Sequence, residues 1–362
     1  MAIEDALLYI KEIEIKDCDI DFCSKEKEEY NKVFDMINNL NGNELKVSDF
    51  IPYKDGSYIL GTTSHEKRGI AENVPVWKKD KCIQCNQCAF VCPHAVIRPY
   101  LLNDEEVKNA PQCVKDNLRN AIGSKYQYTM GISKLDCTGC SLCQRVCPSN
   151  AIEMKPFEDV SNNDGFKYLQ SVSKKSEQIN NTVKGTQFSK PLFEFSGACA
   201  GCGETPYIKL LTQLFGNKIA IANATGCSSI YGASFPSIPY NIPWANSLFE
   251  DNAEFGYGFR SSIDKQKDLA VELLKKLASE VGEELVERIL NKLDQSDEKS
   301  INEQRCNLNE LQNRLMTLEN YQAKHLATVA HNLLVKSVWI VGGDGWAYLA
   351  IAIRCACPSE MP

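Results

Sequence analysis

The chain lacks any apolar run of the length a membrane span needs. Stretches such as Ile219-Ala-Ile-Ala222 and Val338-Trp-Ile-Val341 fall far short of about 18 residues. Basic clusters are also missing: none exceeds two residues, as at Lys174-Lys175, and 40 Lys+Arg against 47 Asp+Glu leave a net charge of −7. That removes the electrostatic footprint expected for nucleic acid or an anionic membrane. The N-terminus, Met1-Ala-Ile-Glu-Asp, has no basic n-region, continuous apolar h-region or small-residue cleavage site, so it does not read as a secretory signal. Neither a G-x-G-x-x-G fingerprint nor a G-x4-G-K-[ST] loop occurs, which disfavours nicotinamide and P-loop chemistry. These absences predict a soluble, cytoplasmic chain without nucleic-acid or membrane partners.

What the sequence has in excess is cysteine, 17 in 362 residues. In reducing cytosol an odd, high count argues for metal ligation rather than disulfides. Cys82, Cys85, Cys88 and Cys92 follow C-x2-C-x2-C-x3-C-P spacing, and Cys137, Cys140, Cys143 and Cys147 repeat it. This is the bacterial two-cluster ferredoxin pattern, in which three close thiolates hold three corners of one cubane and the fourth ligates the other cluster. One 4Fe-4S cluster is therefore expected on Cys82, Cys85, Cys88 and Cys147, the other on Cys137, Cys140, Cys143 and Cys92. Structural zinc, the competing reading, usually takes two ligand pairs set apart in sequence. No Rieske histidine interrupts either motif. Two one-electron carriers so placed make a wire rather than a catalyst.

A looser set follows at Cys199-Ala-Gly-Cys202 and Cys227. Two readings stay open for it: three corners of a third cubane without an evident fourth ligand, or a redox C-x2-C pair with a separate buried thiol. Cys18, Cys23, Cys113, Cys306, Cys355 and Cys357 have the context of ordinary thiols. Near the C-terminus Gly342-Gly343-Asp344-Gly345 follows an apolar strand. Glycines there admit a diphosphate and Asp344 is a hard ligand for Mg²⁺, though the same residues form a plain Asp-Gly turn equally well.

The pattern of the chain suggests residues 1–75 as a remnant domain with an extended arm, including a helix over Lys25–Ile37 and extended chain with a turn at Asp55-Gly56. It further suggests 76–157 as a compact cysteine domain, 158–190 as an exposed linker, 191–348 as an alternating α/β region, and 349–362 as an aberrant tail. In the α/β region Leu210, Leu211 and Leu214 predict the apolar face of a helix, Asn217–Ala224 and Val335–Val341 predict buried strands, and Ser300 with Glu303 predicts a capping box. Helices are expected over Asp264–Ser279, Val281–Leu293 and from Ser300 onward.

Together, Glu66-Lys-Arg-Gly-Ile-Ala, the two cysteine motifs, Cys199-Ala-Gly-Cys202-Gly-Glu204-Thr-Pro-Tyr, Thr225-Gly-Cys227-Ser-Ser-Ile-Tyr-Gly, Asp251-Asn-Ala-Glu-Phe-Gly-Tyr-Gly and Trp339-Ile-Val-Gly-Gly-Asp344-Gly-Trp-Ala-Tyr resemble the pyruvate:ferredoxin (flavodoxin) oxidoreductases, or pyruvate synthases, over roughly residues 45–348. The resemblance implies a two-cluster ferredoxin-like α+β domain followed by a partial α/β thiamine diphosphate-binding domain. It implies oxidative decarboxylation of pyruvate with CoA in a homodimeric parent enzyme, electrons leaving through three 4Fe-4S clusters to ferredoxin or flavodoxin. On it, Cys199, Cys202 and Cys227 are three ligands of the cluster nearest thiamine, Asp344 the Mg²⁺ ligand between Gly343 and Gly345, and Glu204 a carboxylate near the cofactor. The family's second Mg²⁺ ligand, fourth proximal cysteine and activating glutamate have no match here. The expectation is therefore an internal fragment that retains the electron-transfer module and is inactive alone. The alternatives are a stand-alone carrier of 4Fe-4S clusters or a small subunit of a split 2-oxoacid:ferredoxin oxidoreductase.

Overall fold

The computed structural model describes residues 30–343 and 346, apart from 55, 162–164, 181, 233 and 296. They divide into two units after Phe50. In the first, helix α1 (Lys32–Asn38) is capped by Asn31, whose Oδ1 accepts from the Val33 and Phe34 amides at 3.1 Å. The helix expected over Lys25–Ile37 thus begins at Lys32 among the described residues. In the second unit no strand forms among the described residues of 51–63. Thr62 and Thr63 instead turn into a 3₁₀ helix (Thr62–His65), because their buried hydroxyls bond the Pro236 and Glu194 carbonyls at 2.6 and 2.8 Å. Asp55 of the expected turn lies outside the described residues.

The cysteine-rich region is built on a repeat offset by 55 residues. Strand β1 (Asn73–Trp77) pairs antiparallel with β5 (Ile152–Pro156), and β2 (Ile97–Leu102) with β4 (Gln127–Ile132), which also carries the short β3 (Arg119–Asn120). The pair Trp77↔Ile152 becomes Ile132↔Ile97 when 55 is added to one partner and taken from the other, and Asn73↔Pro156 becomes Tyr128↔Leu101. The bond from Lys78 N to Ala151 O, 2.8 Å, likewise maps onto Ser133 N to Val96 O, 3.0 Å. The halves are thus related by a pseudo-twofold axis, with α2 (Gln87–Val91) in one and α3 (Leu142–Arg145) in the other. Trp77, Ile97, Tyr128 and Ile152 close the core between them.

Residues 158–190 are not the exposed linker the composition suggests. A helix at Gly165–Gln170 buries Phe166 and Leu169, and Phe166 stands edge-on to Tyr100 at a 6.4 Å centroid distance. Apolar residues are too sparse there to show a period, yet Phe166 and Leu169 pack against β4, where Gly131 leaves room: a Cβ at Gly131 would meet Tyr100 at 2.7 Å and Phe166 and Leu169 at 3.1 Å.

Beyond this lies a parallel sheet of order β7-β6-β8, with β6 (Ile219–Asn223) between β7 (Trp244–Asn246) and β8 (Ser337–Val341). Every residue of β6 is buried, as its apolar run predicts. β8 is not buried: among the described residues it is an edge of this sheet, and Trp339 and Ile340 are 37% and 38% exposed. Helix α4 (Thr205–Phe215) meets its expectation only in part: Leu211 packs against the core around Ile208 and Ile221. Leu214 is exposed, while Ile208, Lys209, Thr212 and Gln213 are buried. The polar face turns inward because it finds acceptors there: Gln213 donates to Ser189 O at 3.0 Å. Helix α5 (Cys227–Gly232) follows β6. Then α6 (Asn252–Lys276), α7 (Glu283–Leu290), α8 (Glu298–Leu315) and α9 (Tyr321–Val329) pack around Leu274, Leu285, Ile289, Leu311, Leu326 and Leu333. Their boundaries differ from the expected ones. The capping box of α8 is Asp297 with Ser300 at its third position, so Ser300 is not the cap, and Glu303 pairs with Lys292. No helix among the described residues is long and apolar enough to cross a membrane.

Candidate metal centre

Each cysteine loop is shaped by residues held in the left-handed backbone region. Gln84, Asn86 and Ala95 have φ of 57°, 61° and 54°; Gly139, Ser141 and Asn150, 55 positions on, have 70°, 62° and 51°. Five of these six are not glycine, and each then costs about 1–2 kcal/mol. Such strain persists where the surroundings over-determine the conformation. The loops turn amides onto sulfur in matching fashion. Gln84 N lies 3.3 Å from Cys82 Sγ and Gly139 N 3.4 Å from Cys137 Sγ; Val96 N lies 3.4 Å from Cys92 Sγ and Ala151 N 3.1 Å from Cys147 Sγ. Amides aimed at sulfur favour thiolates.

The electrostatics group the thiols across the loops. Burial pushes Cys88 up to about 12, and the charges of Cys82, Cys85 and Cys147 add to it. Burial raises Cys137 to about 11, with Cys92 and Cys140 contributing. Cys143 is raised further still, by burial and then by Cys92 and Cys137. Cys147 goes the other way: burial raises it, but the Ala151 amide and Ser149 hydroxyl outweigh burial and hold it below the ordinary thiol value. The thiols act on one another across the loops: Cys147 on Cys88, Cys92 on Cys137 and Cys143, and Cys88 on Cys143 as well. Burial and mutual repulsion keep these thiols protonated unless a cation is bound, when the thiolate becomes the favoured form. Among the described residues no three Cys, His, Asp or Glu side chains converge on one ion-sized point.

The third set is placed differently. Cys199 and Cys202 lie on one turn, with Cys202 N donating to Cys199 O at 3.1 Å, and Cys227 opens α5. One turn along α5, Tyr231 donates to Glu204 Oε1 at 2.9 Å, which brings the 199–204 loop against α5. Cys199 and Cys227 are exposed and Cys202 half-buried. The loop after β6 adjoins the end of β8, since Ala224 N donates to Val341 O at 2.7 Å. Gly343 follows at that end of the sheet; Asp344 and Gly345 lie outside the described residues, as does the proposed tail at 349–362. Cys113 is half-buried and Cys306 exposed.

Four residues near the thiols carry no sequence motif. Tyr128 is fully buried, donates to Asn86 Oδ1 at 2.8 Å, and is pushed well above the usual phenol range by burial and by the Cys82, Cys88 and Cys85 charges. His94, buried and held below its usual value by burial, has Nδ1 3.1 Å from Ser196 O and Nε2 3.3 Å from Cys199 O. Arg98 forms a buried ion pair with Glu194. Lys209 of α4 is 2% exposed and donates to the Ala89, Phe90 and Cys92 carbonyls. Burial lowers it to about 8, against the pull of Cys92.

A family model described as a 4Fe-4S double cluster binding domain matches residues 81–150, and one described as a domain of unknown function matches 24–71. The chain is 46% identical over 332 residues to a pyruvate-flavodoxin oxidoreductase of Trichormus variabilis, covering 85% of this chain and 28% of that protein. It is 44% identical over 355 residues to a pyruvate:ferredoxin oxidoreductase of Moorella thermoacetica, covering 90% and 29%. A Cryptosporidium parvum pyruvate dehydrogenase (NADP+) is 42% identical over 364 residues, covering 86% and 18%. The chain spans less than a third of the length of each of these relatives. It is similar to one segment of the pyruvate-flavodoxin and pyruvate:ferredoxin oxidoreductases.

Proposed function

We propose that this chain is the electron-transfer segment of a pyruvate:ferredoxin or pyruvate:flavodoxin oxidoreductase, holding two 4Fe-4S clusters in a ferredoxin-like domain over residues 76–157. The observation that carries the reading is the 55-residue correspondence, which runs through strand register, left-handed backbone positions and amide-to-sulfur contacts together. Cys82, Cys85, Cys88 and Cys147 would hold one cluster; Cys137, Cys140, Cys143 and Cys92 the other. Each cluster, when bound, accepts and donates one electron at a time. Around them the chain supplies amides that stabilise charge on sulfur and aromatic walls, Trp77 and Tyr128, that exclude water.

Cys199, Cys202 and Cys227 are proposed as ligands of a third cluster. The Glu204–Tyr231 contact supports this by holding their two stretches together. Gly343, Asp344 and Gly345 are proposed for the Mg²⁺ and diphosphate of thiamine. That reading rests on the position of Gly343 at the carboxyl edge of a parallel sheet, where α/β folds bind ligands. Pyruvate and CoA as substrates, ferredoxin or flavodoxin as acceptor, and a homodimeric whole are proposed from the relatives' names and the family resemblance. The relatives' names differ in the acceptor.

Anaerobic reconstitution with iron and sulfide tests the central claim. About eight iron atoms per chain are expected from the two complete motifs, with paired-cluster EPR signals on reduction. A protein that takes up zinc and no iron would refute it.

A further inference from the structure

Among the described residues Lys209 is a deeply buried cation near the two cysteine loops that has no carboxylate partner. Arg98 spends its charge on Glu194, and Lys67 on Asp136. Lys209, almost fully enclosed, has no carboxylate within ion-pair distance among the described residues. Its ammonium donates to three main-chain carbonyls, those of Ala89, Phe90 at 2.9 Å and Cys92 at 3.0 Å. These are the last carbonyls of α2 and of the cysteine that ends the first loop. A neutral donor could satisfy them; an ammonium brings a full charge into a place where it is costly. The side chains that favour that charge are Cys92 and then Cys88, one from each proposed ligand set. Lys209 also belongs to α4, which starts three residues after Cys202, so it reaches from the third cysteine loop into the first. His94 makes the reverse reach, from beside Cys92 to the Cys199 carbonyl.

We infer that Lys209 is the fixed counter-charge of the cluster held by Cys92, Cys137, Cys140 and Cys143, and that it raises that cluster's affinity for an electron arriving from the Cys199–Cys202 side. The inference rests on the two-cluster reading above. Its physical content is simple. Reduction adds one negative charge to a group already bounded by thiolates, and a buried cation nearby offsets that charge with little screening. No bond forms or breaks, and one electron moves.

The test is an EPR-monitored redox titration of the reconstituted full chain and three variants. Lys209→Gln keeps a hydrogen-bond donor without charge, Lys209→Met keeps volume alone, and Lys209→Arg keeps charge. Gln and Met are expected to lower one cluster's electron affinity about tenfold, 59 mV for a one-electron couple, with the other cluster moving less. Arg is expected to stay near the parent value. If the Gln variant holds its iron and keeps the parent potentials, donor geometry and not charge is what matters, and the inference fails. Should both neutral variants lose iron, the Arg variant decides: an unshifted potential supports the counter-charge and a shifted one overturns it. Absence of iron from the parent chain would instead defeat the two-cluster reading and leave Lys209 a helix cap.

Discussion

Gln84 and Gly139, Asn86 and Ser141, Ala95 and Asn150 hold the same left-handed conformations in the two cysteine loops, but the surroundings of the loops differ. The residue before Cys82 is Lys81, whereas the residue before Cys137 is Asp136, buried and paired with Lys67. After Cys92-Pro93 comes His94, which reaches Cys199 O; after Cys147-Pro148 comes Ser149, whose hydroxyl lies 3.8 Å from Cys147 Sγ. Lys209 caps α2, and none of the hydrogen bonds described for α3 is its counterpart. Backbone and ligand geometry are thus duplicated while charge is not. Two copies of one cage can then hold chemically similar clusters at different potentials, which is what directs an electron along a wire.

The largest effect should come from breaking the ligand exchange. Cys92→Ala is expected to remove the cluster of the second triplet and Cys147→Ala that of the first, each costing about four irons and one EPR signal. Assignment follows from combining each with Cys85→Ala. Cys147→Ala and Cys85→Ala should affect the same cluster, so the double variant keeps about four irons, and one that loses all its iron would contradict the exchange. A smaller effect tests how far the halves can be made alike. Gly131 corresponds to Val76, and Gly131→Val should destabilise the chain by about 1–3 kcal/mol in thermal unfolding, because its Cβ would meet Tyr100, Phe166 and Leu169. The smallest is a matched pair. Asn86→Gly loses the bonds to Tyr128 and to Lys184 O, 2.8 and 2.9 Å, and should cost about 1–2 kcal/mol. Ser141→Gly relieves a left-handed residue whose hydroxyl makes only a 3.3 Å contact to Gly139 O, so strain relief and chain entropy should cancel to within about 0.5 kcal/mol. Equal losses at both positions would show that the shared conformation, and not the neighbours, sets the cost.

The thiol sets were legible because cysteine spacing is itself the geometry: three residues per step wrap one face of a cluster. Gly139, Asn86 and Asn150 are residue types that favour the left-handed region, whereas Gln84, Ala95 and Ser141 carry no signature of a conformation that neighbouring contacts impose. Helix α4 misled through composition. Leu211 does pack on the core, but Leu214 is exposed, and Lys209 and Gln213 turn inward because they find carbonyls there. β8 reads as buried because an apolar edge strand and an apolar central strand look identical along one chain. Ser300 offered a good cap, but Asp297 three residues earlier is better placed to accept its amide, at 2.7 Å.

The pairing of β1 with β5 has a consequence for synthesis. Trp77 finds its partner in Ile152, 75 residues later, while β2 and β4 lie entirely within that span. During translation the inner ribbon can therefore zip first, leaving β1 and its half of the core, Val74 and Trp77 included, exposed until residue 156 has left the ribosome. A machinery that inserts iron must wait for the same moment, because by the proposed ligation neither cage has its fourth wall until the second loop is made.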